Sequence, residues 1–452
     1  MDLTPVYSYI EANRDRFIEE LRQLIRQPSI STQNKGVKEC AELIRQMMER
    51  VGIEARIIST PGQPVVFGHL RFPGAAKTLL IYNHYDVQPV EPLEAWEHPP
   101  FDAVMVGDRI VGRGATDSKG NLLSHLKAVE AFQATVKRTP VNLKFIFDGE
   151  EENGSPNLAG FFEGHRELLA ADAAISFDGG FDGSGRPRVH LGSSGLLYVE
   201  MRARGPERDL HSARARLVEN PAWRLIWALS SMKGRDERIL IEGFYDDILP
   251  PSEEECKVLH DSGWDDQAHL DEYGVDHFLL GVKGVAAFER LLFQPTCNIA
   301  GFKAGYLGEG KKTIIPSEAS VKVDFRLVHR QDPNDVLEKV KRHLEVHGFG
   351  DIEVKTLGQV EPSRTPLRSK IVQAFISSAR EIYGTEPMVK PTGEASGRQG
   401  PWFASRLGIE GAASGIGPPK WLGHAPNEFM TTGHFINGIR FAANIWARYS
   451  ES

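Results

Sequence analysis

The chain has only three cysteines in 452 residues, Cys40, Cys256 and Cys297, and no two of them form a CxxC pair. That is too few and too scattered for a disulfide framework, and it removes sulfur-bound zinc, so a bound metal must be held by oxygen and nitrogen. No apolar run reaches membrane-spanning length. The opening MDLTPVYSYIEANRDRF carries acidic and polar residues rather than a basic then apolar leader, so a cytoplasmic location is expected. A long basic patch is also lacking. With 53 Lys and Arg against 61 Asp and Glu, the formal charge of -8 disfavours nonspecific attraction to nucleic acid or an anionic membrane. G-x-S-x-G does not occur in its strand-to-helix context, and three isolated cysteines give no sign of thiol chemistry. What the chain does have is 41% hydrophobic and 25% charged residues, enough to fill substantial cores. Its length favours two domains over one.

Periodicity predicts a helix over 37–50, strands over 55–59, 65–70 and 78–82, then a helix over 122–136, a strand over 141–147, a helix over 158–169 and a strand over 173–177. This is α/β order with strands buried on both faces. After about Val189 the pattern changes. LLYVEMRARG alternates, 221–231 reads as a helix, 320–327 alternates again, and a helix follows over 335–345. Helices over 368–383 and 435–449 flank a glycine-rich stretch that runs through Gly423. A smaller α+β domain over 190–357, inserted into a larger one formed by 1–189 and 358–452, fits because insertions are tolerated on exposed loops.

Acidic and imidazole groups gather at the expected ends of strands. His84 and Asp86 follow the apolar run before Tyr82 and can point the same way, His84 toward a metal and Asp86 toward its ring. Taken alone, such a pair is more often a surface hydrogen bond. Asp117 lies in the glycine-rich turn GRGATDSKG before a helix; it can bridge two ions, but on local evidence helix capping is the stronger reading. Glu150, Glu151 and Glu152 end one apolar strand and Asp178 ends the next, where ligands of α/β sheets are expected. A solvated acidic turn is the bland alternative. His424 in GHAPNE, by itself more often an ordinary loop histidine, completes a nitrogen and oxygen set suited to two borderline-soft ions.

The stretches NHYDVQP, GRGATDSKG, EEENGSP, FDGG, DLHS and GHAPNE, in this order along the chain, resemble the dinuclear-metal peptidase and deacylase family that includes carnosinase, cytosolic nonspecific dipeptidase, carboxypeptidase G, aminoacylase and acetylornithine deacetylase. The resemblance implies a mixed-sheet α/β catalytic domain with an inserted α+β lid that supports a homodimer. It implies that His84 and Asp178 hold one ion, Glu152 and His424 the other, and that Asp117 bridges them. Asp86 would orient His84, and Glu151 would be the general base, with Glu150 as a rival. His211 would stabilise the oxyanion, reaching the partner subunit's site, although Asp209 or Ser212 capping the next segment is the alternative. Arg326 would contact the substrate, and Ser396 its carboxylate. The substrate loop departs from the dipeptidase pattern at Gly393 and Ala395, and Arg398 lies close enough in sequence to replace the missing arginine.

The expected activity is metal-dependent hydrolysis of a dipeptide or small-peptide amide bond, with zinc the first choice and manganese or cobalt sharing the same ligands. Two alternatives stand beside it: an N-acyl-amino-acid deacylase or desuccinylase, and a noncatalytic metal-binding protein.

Overall fold

Short apolar runs bounded by turns assemble into an eight-stranded sheet, in spatial order Glu54–Ile58, Val65–Leu70, Asn142–Asp148, Thr78–His84, Ala173–Phe177, Glu410–Ser414, Arg188–His190 and Met388–Lys390. The middle strands Asn142–Asp148, Thr78–His84, Ala173–Phe177 and Glu410–Ser414 run parallel, whereas Val65–Leu70 joins antiparallel, so the sheet is mixed. The computed structural model describes residues 1–397 and 400–452. Parallel strands need cover on both faces. The helix Asn121–Thr135 is buried along nearly all its length, and it packs against Thr432–Glu451, whose Phe435, Ile439, Phe441 and Trp446 are also buried.

Register does the positioning. His84 pairs with Asp148, and Tyr82 pairs with Ser176, so three adjacent parallel strands end level with one another. A small antiparallel sheet of Val104–Val106, Arg109–Val111 and Phe429–Thr431 brings the end of GHAPNE beside the start of GRGATDSKG.

Two units are distinguished by their internal packing: Met1–Gly192, Arg364–Pro391 and Arg398–Ser452 form one, Ser193–Ser363 and Thr392–Gly397 the other. The second is built on an antiparallel sheet in the order Thr296–Ala304, Glu318–Leu327, Gly195–Arg204 and Glu353–Val360. Leu197, Val199 and Met201 of one strand and Val321, Val323 and Phe325 of its neighbour form a core with Leu225 and Met232 of the helix Pro221–Met232 and Val340 of Pro333–Val346. The break falls after residue 357 because Glu353–Val360 is a full strand of this sheet. Ser396 returns to the same unit.

Several elements differ from their sequence expectations. The strand expected over 78–82 continues to His84, because the parallel ladder runs on, Asn83 pairing with Phe147 and His84 with Asp148. The helix expected over 158–169 is two, Leu158–Gly164 and Arg166–Leu169. The glycine-rich stretch contains the buried strand Glu410–Ser414, whose sequence EGAAS carries no β-branched residue to mark it. Its small residues fit a crowded place: a Cβ on Gly415 would lie 2.3 Å from the Asp178 carbonyl oxygen. Among the described residues, no helix is long and apolar enough to cross a membrane.

Candidate metal centre

The five residues expected as ligands lie together in the first unit. His84 Nε2 is 3.1 Å from Asp117 Oδ1 and 3.7 Å from Asp178 Oδ1. On the other side, His424 Nε2 is 3.1 Å from Asp117 Oδ2 and 3.3 Å from Glu152 Oε2. Asp117 therefore stands between two imidazoles, one carboxylate oxygen toward each. One donor atom from each of His84, Asp117 and Glu152 fits within a 4.8 Å cluster. His84 is buried, whereas the His424 side chain is 59% exposed and forms the open rim.

Asp117 does not cap the helix after it: among the described residues no backbone N–H donates to its carboxylate, and the helix has no side-chain cap. The turn's N–H groups are taken by Glu428 instead, from Gly114 at 3.0 Å, Thr116 at 2.9 Å and Asp117 at 3.0 Å. Gly114 enters this turn at φ +85°, and a Cβ there would lie 2.6 Å from Val87 Cγ1.

The three glutamates after Asp148 have separate tasks. Glu150 is buried and occupied, accepting from the backbone N–H groups of Gln63 at 3.0 Å and Asn157 at 3.1 Å. Glu151 and Glu152 instead donate their backbone N–H groups to Asp86, both at 3.1 Å. Asp86 also accepts from the Ser31 hydroxyl at 2.6 Å. Its relation to His84 is partly through the main chain: His84 Nδ1 lies 3.1 Å from the Asp86 carbonyl oxygen and 3.4 Å from its carboxylate. The Asp86 carboxylate thus serves the turn carrying Glu151 and Glu152 as well as the imidazole.

Burial and neighbouring charges shift Glu151, His84 and His424. Burial pushes the Glu151 carboxyl up to about 8, opposed by His84 and reinforced by Asp178, Asp117 and Glu152. Burial works against a charged His84, yet Asp117, Asp178 and Asp86 outweigh it and hold the imidazole well above its ordinary range. Asp117 and Glu152 raise His424 to about 10. The pocket gathers five carboxyl groups, those of Asp86, Asp117, Glu151, Glu152 and Asp178, around the two imidazoles, a surplus of acidic groups.

The donor set suits divalent cations. Among the described residues, the buried atoms His84 Nε2 and Glu152 Oε1 have no aligned hydrogen-bond partner, an arrangement that costs free energy unless something else meets them. Imidazole nitrogen with carboxylate oxygen is the chemistry of zinc and its neighbours.

The remaining predicted residues belong to the second unit. Arg326 Nη1 donates to Ser396 Oγ at 3.0 Å. His211 is exposed, and its Nδ1 accepts from the Ala213 backbone N–H at 3.1 Å, so the histidine caps the following short helix itself. Asp209 is held by Lys312 at 3.0 Å and the Ser317 backbone at 3.1 Å. Arg398 lies outside the described residues.

The model of Peptidase family M20/M25/M40 matches residues 80–448. The chain belongs to this family. Its sequence is 29% identical over 414 residues to the human Beta-Ala-His dipeptidase, covering 85% of this chain and 80% of the other. It is 27% identical to a Cys-Gly metallodipeptidase of Saccharomyces cerevisiae, covering 100% and 98%. Among solved structures, an M20 family metallo-carboxypeptidase from Sulfolobus solfataricus matches with TM-score 0.84 and 38% identity over 96% of this chain and 99% of that one.

The sequence alone did not single out Arg113 or Glu428. Both stood inside the quoted motifs, but only long-range contacts reveal that one end of GHAPNE binds the turn of GRGATDSKG.

Proposed function

We propose that this M20 chain is a dinuclear metallopeptidase that hydrolyses the amide bond of dipeptides and other small peptides. The observation that carries this reading is Asp117 set between His84 and His424, 3.1 Å from each. His84 and Asp178 would hold one divalent cation, Glu152 and His424 the second, and Asp117 both. Zinc leads, with manganese and cobalt served by the same donors. When bound, such a pair polarises a scissile carbonyl and eases deprotonation of water.

Glu151 is the group that moves the proton. Its carboxyl is tuned upward by burial, so it takes a proton from water readily and returns it to the departing amine. Asp86 holds it in place through its backbone N–H. In the second unit, Arg326 offers a planar donor fork to a substrate carboxylate, steadied by Ser396. His211 stabilises the oxyanion from the partner subunit of a homodimer. Its Nδ1 is occupied by Ala213, which leaves Nε2 as the donor of the neutral ring.

The homodimer has support in the second unit. Trp223, Ile226 and Trp227 are exposed on one helix, the two indoles stacked at 5.9 Å, and Ile299 and Phe302 are exposed on the edge strand Thr296–Ala304. A cytoplasmic setting completes the reading, in keeping with three free thiols.

Elemental analysis combined with a panel of dipeptides and N-acyl-amino acids tests the function. Dipeptide turnover by protein carrying two divalent ions per chain is expected. Turnover of N-acyl-amino acids alone, or of no amide by the fully loaded protein, would overturn it.

A further inference from the structure

Glu428 is fully buried, and among the described residues the four donors to its carboxylate all come from residues 113–117. Oε1 accepts from the N–H groups of Thr116 at 2.9 Å and Asp117 at 3.0 Å, and Oε2 accepts from Gly114 N–H at 3.0 Å and Arg113 Nη1 at 2.7 Å. Arg113 is buried too. Its other terminal nitrogen, Nη2, donates to the carbonyl oxygen of His424 at 3.0 Å and to that of Pro89 at 3.3 Å.

An aspartate at a turn before a helix ordinarily accepts the free N–H groups there, because nothing else meets them. A carboxylate so engaged has fewer lone pairs to offer. Glu428 fills that role from 311 residues away in sequence, leaving both Asp117 oxygens turned toward imidazoles. The guanidinium fork then joins the same carboxylate to the main chain of His424, a residue held at φ +59° with an exposed side chain. The planar fork fixes the direction of both connections, which an ammonium on a flexible stem does not.

We infer that Glu428 and Arg113 are positioning residues of the dinuclear centre: Glu428 frees Asp117 to bridge by capping its turn, and Arg113 locks the His424 loop to that turn. This rests on the metal reading given above, and deepens it by assigning the residues that hold the shared ligand and the rim ligand in register.

The test is titration of metal-free protein with Co2+, following affinity and the visible absorption of the bound ion, for wild type, Glu428→Gln and Arg113→Lys. In Glu428→Gln an amide NH2 confronts the turn's donors, and both Co2+ equivalents should bind about 10 to 100-fold more weakly with an altered spectrum. In Arg113→Lys the charge beside Glu428 survives but the arm to His424 is lost. One equivalent should then weaken about 10-fold while the other stays within ~3-fold of wild type.

Circular dichroism of the metal-free variants reports folding separately. A variant that folds and matches wild type in affinity and spectrum removes its residue from this role, and failure of both variants to fold would assign the pair to the core and overturn the inference. Should wild type itself take up no Co2+, the metal reading fails first, a result distinct from a metal-binding wild type matched by its variants.

Discussion

The backbone N–H of Glu151 donates to Asp86 Oδ1 at 3.1 Å, and that of the next residue donates to Oδ2 at the same distance. One buried carboxylate next to His84 thereby sets the start of the turn from which the proposed base and a proposed ligand project. Disturbing the base and disturbing its anchor should give different results.

Glu151→Gln removes the titrating group and keeps the backbone bond to Asp86. Turnover should fall at least ~100-fold while metal content holds. Elemental analysis beside a dipeptide assay checks both; unchanged turnover would remove Glu151 from proton transfer.

Asp86→Asn sets an amide against two N–H donors and the Ser31 hydroxyl. It should lower turnover and metal affinity together, each by about 10 to 100-fold. Ser31→Ala deletes only one donor to a charged acceptor, so it should cost about 1.5 to 3 kcal/mol in denaturant unfolding with full metal occupancy.

Chelation should abolish turnover, and zinc, manganese or cobalt should restore it to different extents. Because the acidic groups of the pocket are gathered into one site only when the chain is folded, added divalent ion should also raise the melting temperature in a concentration-dependent way. A melting curve indifferent to saturating metal would contradict the site.

Arg326→Lys should raise KM for a peptide with a free terminal carboxylate about 10-fold more than for its amide, since the fork is lost and the charge kept. Equal effects on the two peptides would place Arg326 elsewhere than at the carboxylate.

His211→Ala should retain metal and lose most turnover. If His211 serves the partner subunit's site, mixing this variant with Glu151→Gln should regenerate activity in hybrid dimers, which combine one intact base with one intact histidine. Absence of complementation in exchanged hybrids would assign His211 to its own chain's site or to none.

Strands of the parallel core were legible because buried β-branched and aromatic runs announce themselves, as in LKFIF before Asp148. EGAAS was not legible as a strand, since its place between neighbours depends on small size rather than β propensity. The helices Glu253–His260, Asp266–Tyr273 and Val285–Phe293 were also missed, and Leu259, Phe288 and Leu292 make a small core of their own whose partners are remote in sequence.

Residue chemistry and position made His84, Asp117, Asp178 and His424 candidate donors, because imidazole and carboxylate bind cations by their nature, but it took the family resemblance to prefer a bridge over a cap at Asp117 and to choose Glu152 among adjacent glutamates. Folding decided which hydrogen bonds each group was left to make. Glu150 went to Gln63 and Asn157, Asp86 to the following glutamates, and Glu428 to the turn of Asp117. A side chain's identity states what it can bond; only the partners brought beside it determine which capacity remains free for a metal or substrate.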